Sequence, residues 1–331
     1  MPRHLSSAVL RSRLHTRADL LESGREARDL ERAVARGELR RVRRNQYLDG
    51  GMWDDLWPES RHLAEVLAVV DEMRGGAGVV SHASAAALRG LPLYRHRPSH
   101  VHLTIAADVG SSTASGVRRH RDAIGPGDIE MVDGIRCTTL ERTVFDVART
   151  TPAETALACA DAALRAVAVP DGFVQDAVAA DAWRARMRER ALDAPGMRGV
   201  RRARATIELA DGRAHLPGES ITRLQLTRLG FSAPRTQVRV ASPNGGDYWV
   251  DLAIDDARTF IEFDGKGKYL DAATRGGVSL EAVLLEEKQR EDWIRGRTGW
   301  GMVRVSDEHV RTPADLAARL AAFGIHSPRA F

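Results

Sequence analysis

From residue 248 to residue 264 the chain alternates between apolar and polar positions. Tyr248, Val250, Leu252 and Ile254 are separated by Trp249, Asp251 and Ala253. After a polar turn at Asp255-Asp-Ala-Arg258 the pattern resumes, with Ile261 and Phe263 set against Glu262 and Asp264. Period-two alternation predicts two strands, and the short polar turn joins them as a hairpin. A hairpin symmetric about that turn sets Asp251 directly opposite Glu262 on one face, with Cβ atoms about 4.5–5.5 Å apart. The same alternation carries Asp264, and Lys266 beyond Gly265, to that face. Around the hairpin the pattern predicts a helix from Glu219 to Leu229, a strand over 237–240, a helix over 280–295 and a last strand over 300–305. Residues 208–331 therefore read as α-β-β-β-α-β.

Upstream the periodicity is helical. Thr16 caps a helix over 17–22 that Gly24 stops, and a second helix over 27–36 carries Leu30, Ala33 and Val34 on one face and ends at Gly37. Next comes a strand and turn in which Leu39, Val42, Tyr47 and Leu48 stand among Arg40, Arg41, Arg43 and Arg44. Two short helices followed by a basic strand and turn fit a winged helix-turn-helix over residues 1–52, whose arginines would meet phosphates. The alternative is a small helical hairpin with a solvated basic edge. Residues 53–170 read as a mixed α/β domain, with helices over 61–74 and 81–89, strands over 99–105, 117–121 and 135–138, and a helix starting at Thr139. His100 and His102 share one strand face there, a pair that could ligate a metal. With no Cys, Asp or Glu at ligand spacing nearby, they read as surface or half-buried histidines. Residues 171–207 form an arginine-rich helical connector broken at Pro195-Gly196, either solvated or tracking phosphates. The fold class is α/β multidomain.

Length and composition change this picture only in part. A chain of 331 residues with 43% hydrophobic positions has room for two or three cored domains. Cys137 and Cys159 form neither a CxxC pair nor a disulfide framework, so a reducing cytoplasm is the expected home. The N-terminus has no signal-peptide apolar core, and no apolar run is long enough to span a bilayer. Net charge is only +4, which is compatible with nucleic acid without demanding it.

The basic residues are almost all arginine. The three lysines, Lys266, Lys268 and Lys288, lie between residues 266 and 288, two of them in Glu262-Phe-Asp-Gly-Lys266-Gly-Lys268. A compact ammonium can sit beside a water and a phosphate where a planar guanidinium cannot. Facing carboxylates are destabilising unless neutralised, and a hard cation such as Mg²⁺ binds through one or two carboxylates plus phosphate and water. The acids and the lysine therefore predict a metal-dependent phosphodiester-cleaving centre, with Glu219 adding an acid from the opposite wall. The alternative is a polar sheet edge with arginine counter-ions. Gly265-Lys-Gly-Lys268 lacks the spacing of a phosphate-binding loop.

Glu219, Asp251 and Glu262-Phe-Asp264-Gly-Lys266, followed by Lys288 and Arg290 on a later helix and by Gly299-Trp300 before the last strand, resemble the PD-(D/E)XK nuclease superfamily and, within it, the very-short-patch-repair-like endonucleases. The resemblance implies a restriction-endonuclease-like domain over 208–331, with Asp251, Glu262 and Asp264 as ligands of Mg²⁺ or Mn²⁺. It implies Lys266 as the residue orienting the base and Glu219 as an accessory acid. Lys268, Lys288 and Arg290 are then expected to meet nucleic acid together with Arg40, Arg41, Arg43 and Arg44. Val250 stands where the family has Pro. Asp264-Gly-Lys266 fits the acid-x-Lys spacing while Glu262 fits the hairpin register, so which acid binds metal stays open. The N-terminal part resembles something else. Thr16 to Leu48, Ser81 to Pro92 and Gly134 to Thr143 look like the AbiEi-type antitoxins. That likeness implies a DNA-binding repressor, a cognate toxin encoded nearby as partner, and a role in a toxin-antitoxin system or phage defence. An endonuclease targeted by its N-terminal module and a repressor whose nuclease fold does not turn over both remain open, as does DNA against RNA.

Overall fold

In the computed structural model, which describes residues 5–73, 78–106, 115–170, 172–265 and 280–329, local capping chemistry sets the first elements. Helix α1 covers Ser7–Arg13, and a short strand β1, His15–Thr16, leads into α2, Arg17–Glu22. Thr16 accepts from the Asp19 backbone while the Asp19 carboxylate takes the Thr16 N–H, a reciprocal capping box. Helix α3 follows at Ala27–Ala35, and Gly37, with φ at +75°, turns the chain into β2, Leu39–Arg43, and β3, Gln46–Asp49. The three strands form an antiparallel sheet in the order β1-β3-β2. Leu20, Leu30, Ala33, Leu39 and Tyr47 make its buried core, the apolar face read from the helical spacing.

Helices α4, Gly50–Asp54, and α5, Pro58–Met73, lead to a second sheet. Its strands are β4, Val79–Val80; β5, Val101–Ile105; β6, Val117–Arg121; β7, Ile129–Val132; and β8, Ile135–Thr138, ordered β6-β5-β4-β8-β7. The β5–β6 and β4–β8 pairs are parallel. Helix α6, His82–Leu88, lies between β4 and β5 in sequence and packs on α7, Leu140–Thr150. Every residue of α6 is buried, and its alanines at 83, 85, 86 and 87 let the helices approach closely. Helices α8, Ala153–Ala168, α9, Ala177–Leu192, and α10, Val200–Leu209, follow.

Helix α11, Pro217–Leu229, opens the last region; β9, Arg235–Ala241, β10, Asp247–Ile254, and β11, Thr259–Phe263, come next, then α12, Leu280–Thr298, β12, Gly301–Val305, and α13, Pro313–Ala321. The order α-β-β-β-α-β expected from the sequence is present, with α13 added. The sheet runs β12-β11-β10-β9, antiparallel except for the β11–β12 pair, whose strands α12 separates in sequence. The β10–β11 register, Leu252↔Ile261 and Ala253↔Phe260, is the one the symmetric hairpin predicts. Val240, Val250, Ala253, Phe260 and Ile294 form a buried core on this sheet.

Two compact units result. One comprises Met1–Cys159 with Arg186–Arg204, the other Ala160–Ala185 with Ala205–Phe331. The architecture is that of a multi-domain α/β protein. The stretch read as a connector, 171–207, is divided between the two units. Many of its arginines are tied to protein rather than left to solvent: within the first unit Arg186 pairs with Glu141 at 3.1 Å and Arg190 with Asp128 at 2.7 Å. In the second unit a fully buried Asp161 meets Arg223 of α11 at 2.7 Å and also accepts the Asp211 N–H at 2.8 Å. Among the described residues no helix is long and apolar enough to cross a membrane.

Candidate functional site

Gly218 places the first acid. A Cβ at this position would lie 2.1 Å from the ring of Phe263, so only glycine lets the start of α11 rest on the end of β11. The next residue, Glu219, is 2% exposed. Its carboxylate accepts the N–H of Leu216, the N-cap, at 3.2 Å and that of His215 just before it at 2.9 Å. Gln237, on β9 with φ at +49°, reaches in from across the sheet. Its Nε2 donates to Glu219 at 3.0 Å and to Asp251 at 3.4 Å. The other Asp251 oxygen accepts the Phe263 N–H at 2.9 Å, just past the last paired residues of the β10–β11 ladder. One amide thus ties a helix carboxylate to a strand carboxylate. Burial, reinforced by the Asp251 charge, pushes the Glu219 carboxyl up to about 7, against the pull of the N–H bonds it accepts.

The remaining predicted residues take other positions. Glu262 accepts from Arg290 Nη1 at 2.6 Å and lies 3.9 Å from Arg304. Arg290 also donates to the Trp249 carbonyl at 2.6 Å, and its guanidinium lies 5.7 Å from the Tyr248 ring centre. The carboxylates of Asp251 and Glu262 therefore engage different partner sets, although the hairpin register holds. Asp264 is half-buried and its N–H continues the β11–β12 pairing to Val305 at 2.7 Å. Lys266 and Lys268 lie outside the described residues. Lys288 is exposed on α12. In the first unit Arg40, Arg41 and Arg44 are exposed on β2 and its turn, Arg40 lying 5.2 Å over the Trp53 ring, while Arg43 pairs with Glu72 and donates to the Ser115 carbonyl at 3.0 Å. Beside Glu219, Phe173 stacks on Trp249 at 4.9 Å and 6° and meets His215 at 4.7 Å. That aromatic group was not legible in the sequence, because its members stand far apart in the chain.

A second cluster was met in the sequence only through His102. His82, His102 and His120 converge until one nitrogen of each lies within 4.8 Å of the others, a spacing at which three imidazoles could hold a metal ion. The histidine expected to share a strand face with His102 was His100. Strand β5 starts only at Val101, and His100 is exposed against Ser99. The partners of His102 come instead from the start of α6 and from β6, brought in by a parallel strand pairing that alternation in β5 cannot reveal.

No family model matches the chain. Over 258 residues it is 30% identical to a Mycobacterium tuberculosis (strain ATCC 25618 / H37Rv) protein described as "Uncharacterized protein Rv2248", covering 77% of this chain and 84% of the relative. The same figures hold for "Uncharacterized protein MT2308" of strain CDC 1551 / Oshkosh. The chain belongs to the family of these proteins. A search of solved structures finds the Rv2827c protein from Mycobacterium tuberculosis at 14% identity and a TM-score of 0.34, over 72% of this chain and 87% of that one.

Proposed function

We propose that the second unit is a restriction-endonuclease-like, divalent-cation-dependent phosphodiester hydrolase, and that the first carries a winged helix-turn-helix that binds DNA. The observation that carries the reading is the Glu219–Gln237–Asp251 bridge. A buried acid whose proton is held up to about 7 beside a second carboxylate is a pair of like charges that a cation would relieve. The donors are hard carboxylate oxygens, which suits Mg²⁺ or Mn²⁺ rather than a softer metal. Asp251 and Glu219, with Asp264 at the end of β11, are the residues that would hold the ion. Bound there, it would supply charge neutralisation and an acidified water.

The chain's own groups fill the other roles. Gln237 fixes the orientation of both carboxylates. The Phe173, His215 and Trp249 rings offer a stacking face beside the acids for an unpaired base. Lys266, two residues past Asp264, is assigned to orient the attacking water. Arg40, Arg41 and Arg44 of the first unit are assigned to phosphates. The test is cleavage of plasmid and duplex DNA by the full chain with Mg²⁺ or Mn²⁺. Asp251→Asn and Glu219→Gln should each lower the rate by roughly 100-fold or more, the scale of losing one preorganised electrostatic group. Cleavage that persists in EDTA, or in both variants, defeats the reading.

One observation favours a second reading. Arg290 neutralises Glu262 at 2.6 Å, as expected of a nuclease fold retained without turnover. The protein would then be an AbiEi-like repressor of a toxin-antitoxin operon, with a cognate toxin as partner. Salt-sensitive binding to its own promoter, with no cleavage under any divalent metal, separates this reading from the first.

A further inference from the structure

None of the residues assigned to the proposed hydrolase or to the DNA-binding arginines belongs to a cavity of about 540 Å³ in the first unit, which is lined by His82 and His120 of the histidine cluster. Its wall carries six guanidinium side chains, Arg118, Arg119, Arg121, Arg149, Arg198 and Arg202, against one carboxylate, Asp122. His82 and His120 stack at 3.7 Å and 14°, and His120 Nε2 lies 3.0 Å from His102 Nδ1. His82 is held at φ +53°, a left-handed conformation uncommon outside glycine.

Arg142 reaches Asp122 at 2.7 Å, Asp128 at 3.2 Å and Asp146 at 3.1 Å. Arg149 reaches Asp146 at 2.9 Å and Asp122 at 3.3 Å through Nη2. Those acids are thereby occupied by Arg142 and Arg149. Arg149 is 7% exposed, and its Nε–H has no partner among the described residues. A buried charged donor left unmatched points to an acceptor that the chain itself does not supply.

Two occupants would suit three imidazoles, a metal ion or an anion, and the surroundings decide between them. Burial first, then the neighbouring histidines and arginines, push His82 and His102 down to about 2. Neutral imidazoles suit a metal, but stacked rings direct their in-plane lone pairs along parallel planes instead of toward one point. A wall of guanidinium groups repels a divalent cation and attracts a phosphate, whose oxygens the planar fork matches two at a time. The volume lies within the range of small-ligand sites. We infer that this cavity binds a small phosphorylated ligand of nucleotide size, its phosphate held by the arginine wall and its remaining part set against the stacked rings of His82 and His120.

Titration of the full chain with inorganic phosphate, with AMP and with a short duplex DNA tests the assignment, followed by calorimetry and by the shift in melting temperature. The expected result is AMP binding at least tenfold tighter than inorganic phosphate, together with a ligand-dependent rise in Tm. Arg118 and Arg198 are exposed on the rim, so Arg118→Ala and Arg198→Ala should leave the fold intact. Each should weaken AMP binding about tenfold or more, the effect of one charge-assisted hydrogen bond, and Arg118→Lys should recover part of the loss. Three outcomes overturn the proposal: no AMP binding at millimolar concentration, AMP binding indifferent to both rim substitutions, or an arginine-dependent response to duplex alone. Stoichiometric Zn²⁺ uptake that His102→Ala abolishes, with no response to AMP, would assign the histidines to a metal instead. None of these readouts depends on DNA cleavage, so the hydrolase reading and this one fail separately.

Discussion

Glu219 and Asp251 share the amide of Gln237, at 3.0 and 3.4 Å, and the charge on one raises the proton affinity of the other. The pair gives a pH signature with a definite sign. A carboxyl held up to about 7 binds its proton more tightly in the folded state than in the unfolded state. The stability it contributes is fully present below the ordinary Glu range and is lost as pH rises through about 7. Urea denaturation at a series of pH values should show that decline in the wild type, and Glu219→Gln should flatten it. Added Mg²⁺ should stabilise the wild type more at pH 8 than at pH 6. A Glu219→Gln curve parallel to that of the wild type would contradict the assignment.

Gly218→Ala drives a methyl into Phe263, since the added carbon would sit 2.1 Å from the ring. Overpacking of this kind costs about 1–3 kcal/mol. Calorimetry should record a lower Tm, and Phe263→Leu in the same chain should restore part of it. An unchanged Tm for Gly218→Ala would mean that α11 does not rest on β11 as described.

The Asp161–Arg223 pair is buried, with side chains 1% and 8% exposed. Replacing Arg223 with Met strands the aspartate and should destabilise the second unit by about 3–5 kcal/mol. Pairing Arg223→Met with Asp161→Leu should recover much of that loss, because the uncompensated charge is gone. Chemical denaturation of both variants measures the difference.

Arg290 serves Glu262 and the Trp249 carbonyl together. Arg290→Ala should cost about 1–2 kcal/mol, a figure reduced for partial exposure of the pair. A double-mutant cycle with Glu262→Gln should return a coupling energy well above zero; additivity would show that the ion pair is incidental.

Arg40, Arg41 and Arg44 are exposed on one strand and its turn. If they meet phosphates, each neutralisation should lower the slope of log affinity against log salt by about 0.9 on duplex DNA. Fluorescence anisotropy at several salt concentrations measures that slope directly. A slope unmoved by all three substitutions would place the DNA face elsewhere.

The sequence disclosed local order well and convergence poorly. Thr16 as a helix cap, Gly37 after α3 and the β10–β11 register all follow from contacts a few residues apart, and each is present. Strands β4 and β7 escaped because two to four residues carry too little periodicity to register. Gln237 escaped because nothing in β9 marks a glutamine that will be turned by a positive φ toward two acids. The partner of Glu262 escaped for a similar reason: Arg290 is one arginine among many, and only the return of α12 between β11 and β12 selects it. The histidine cluster depends on a parallel strand pair and a helix start, relations between segments that no spacing along one strand records.

Strand β6 closes one side of the five-stranded sheet with Val117-Arg118-Arg119-His120-Arg121, and β9 closes a side of the four-stranded sheet with Arg235 and Arg239, paired to Asp255 and Asp247. An unpaired strand flank is a template onto which another chain can add. Charged side chains along a flank disfavour such addition, so Arg118, Arg119 and Arg121 also guard the β6 edge against aggregation through edge-to-edge self-association.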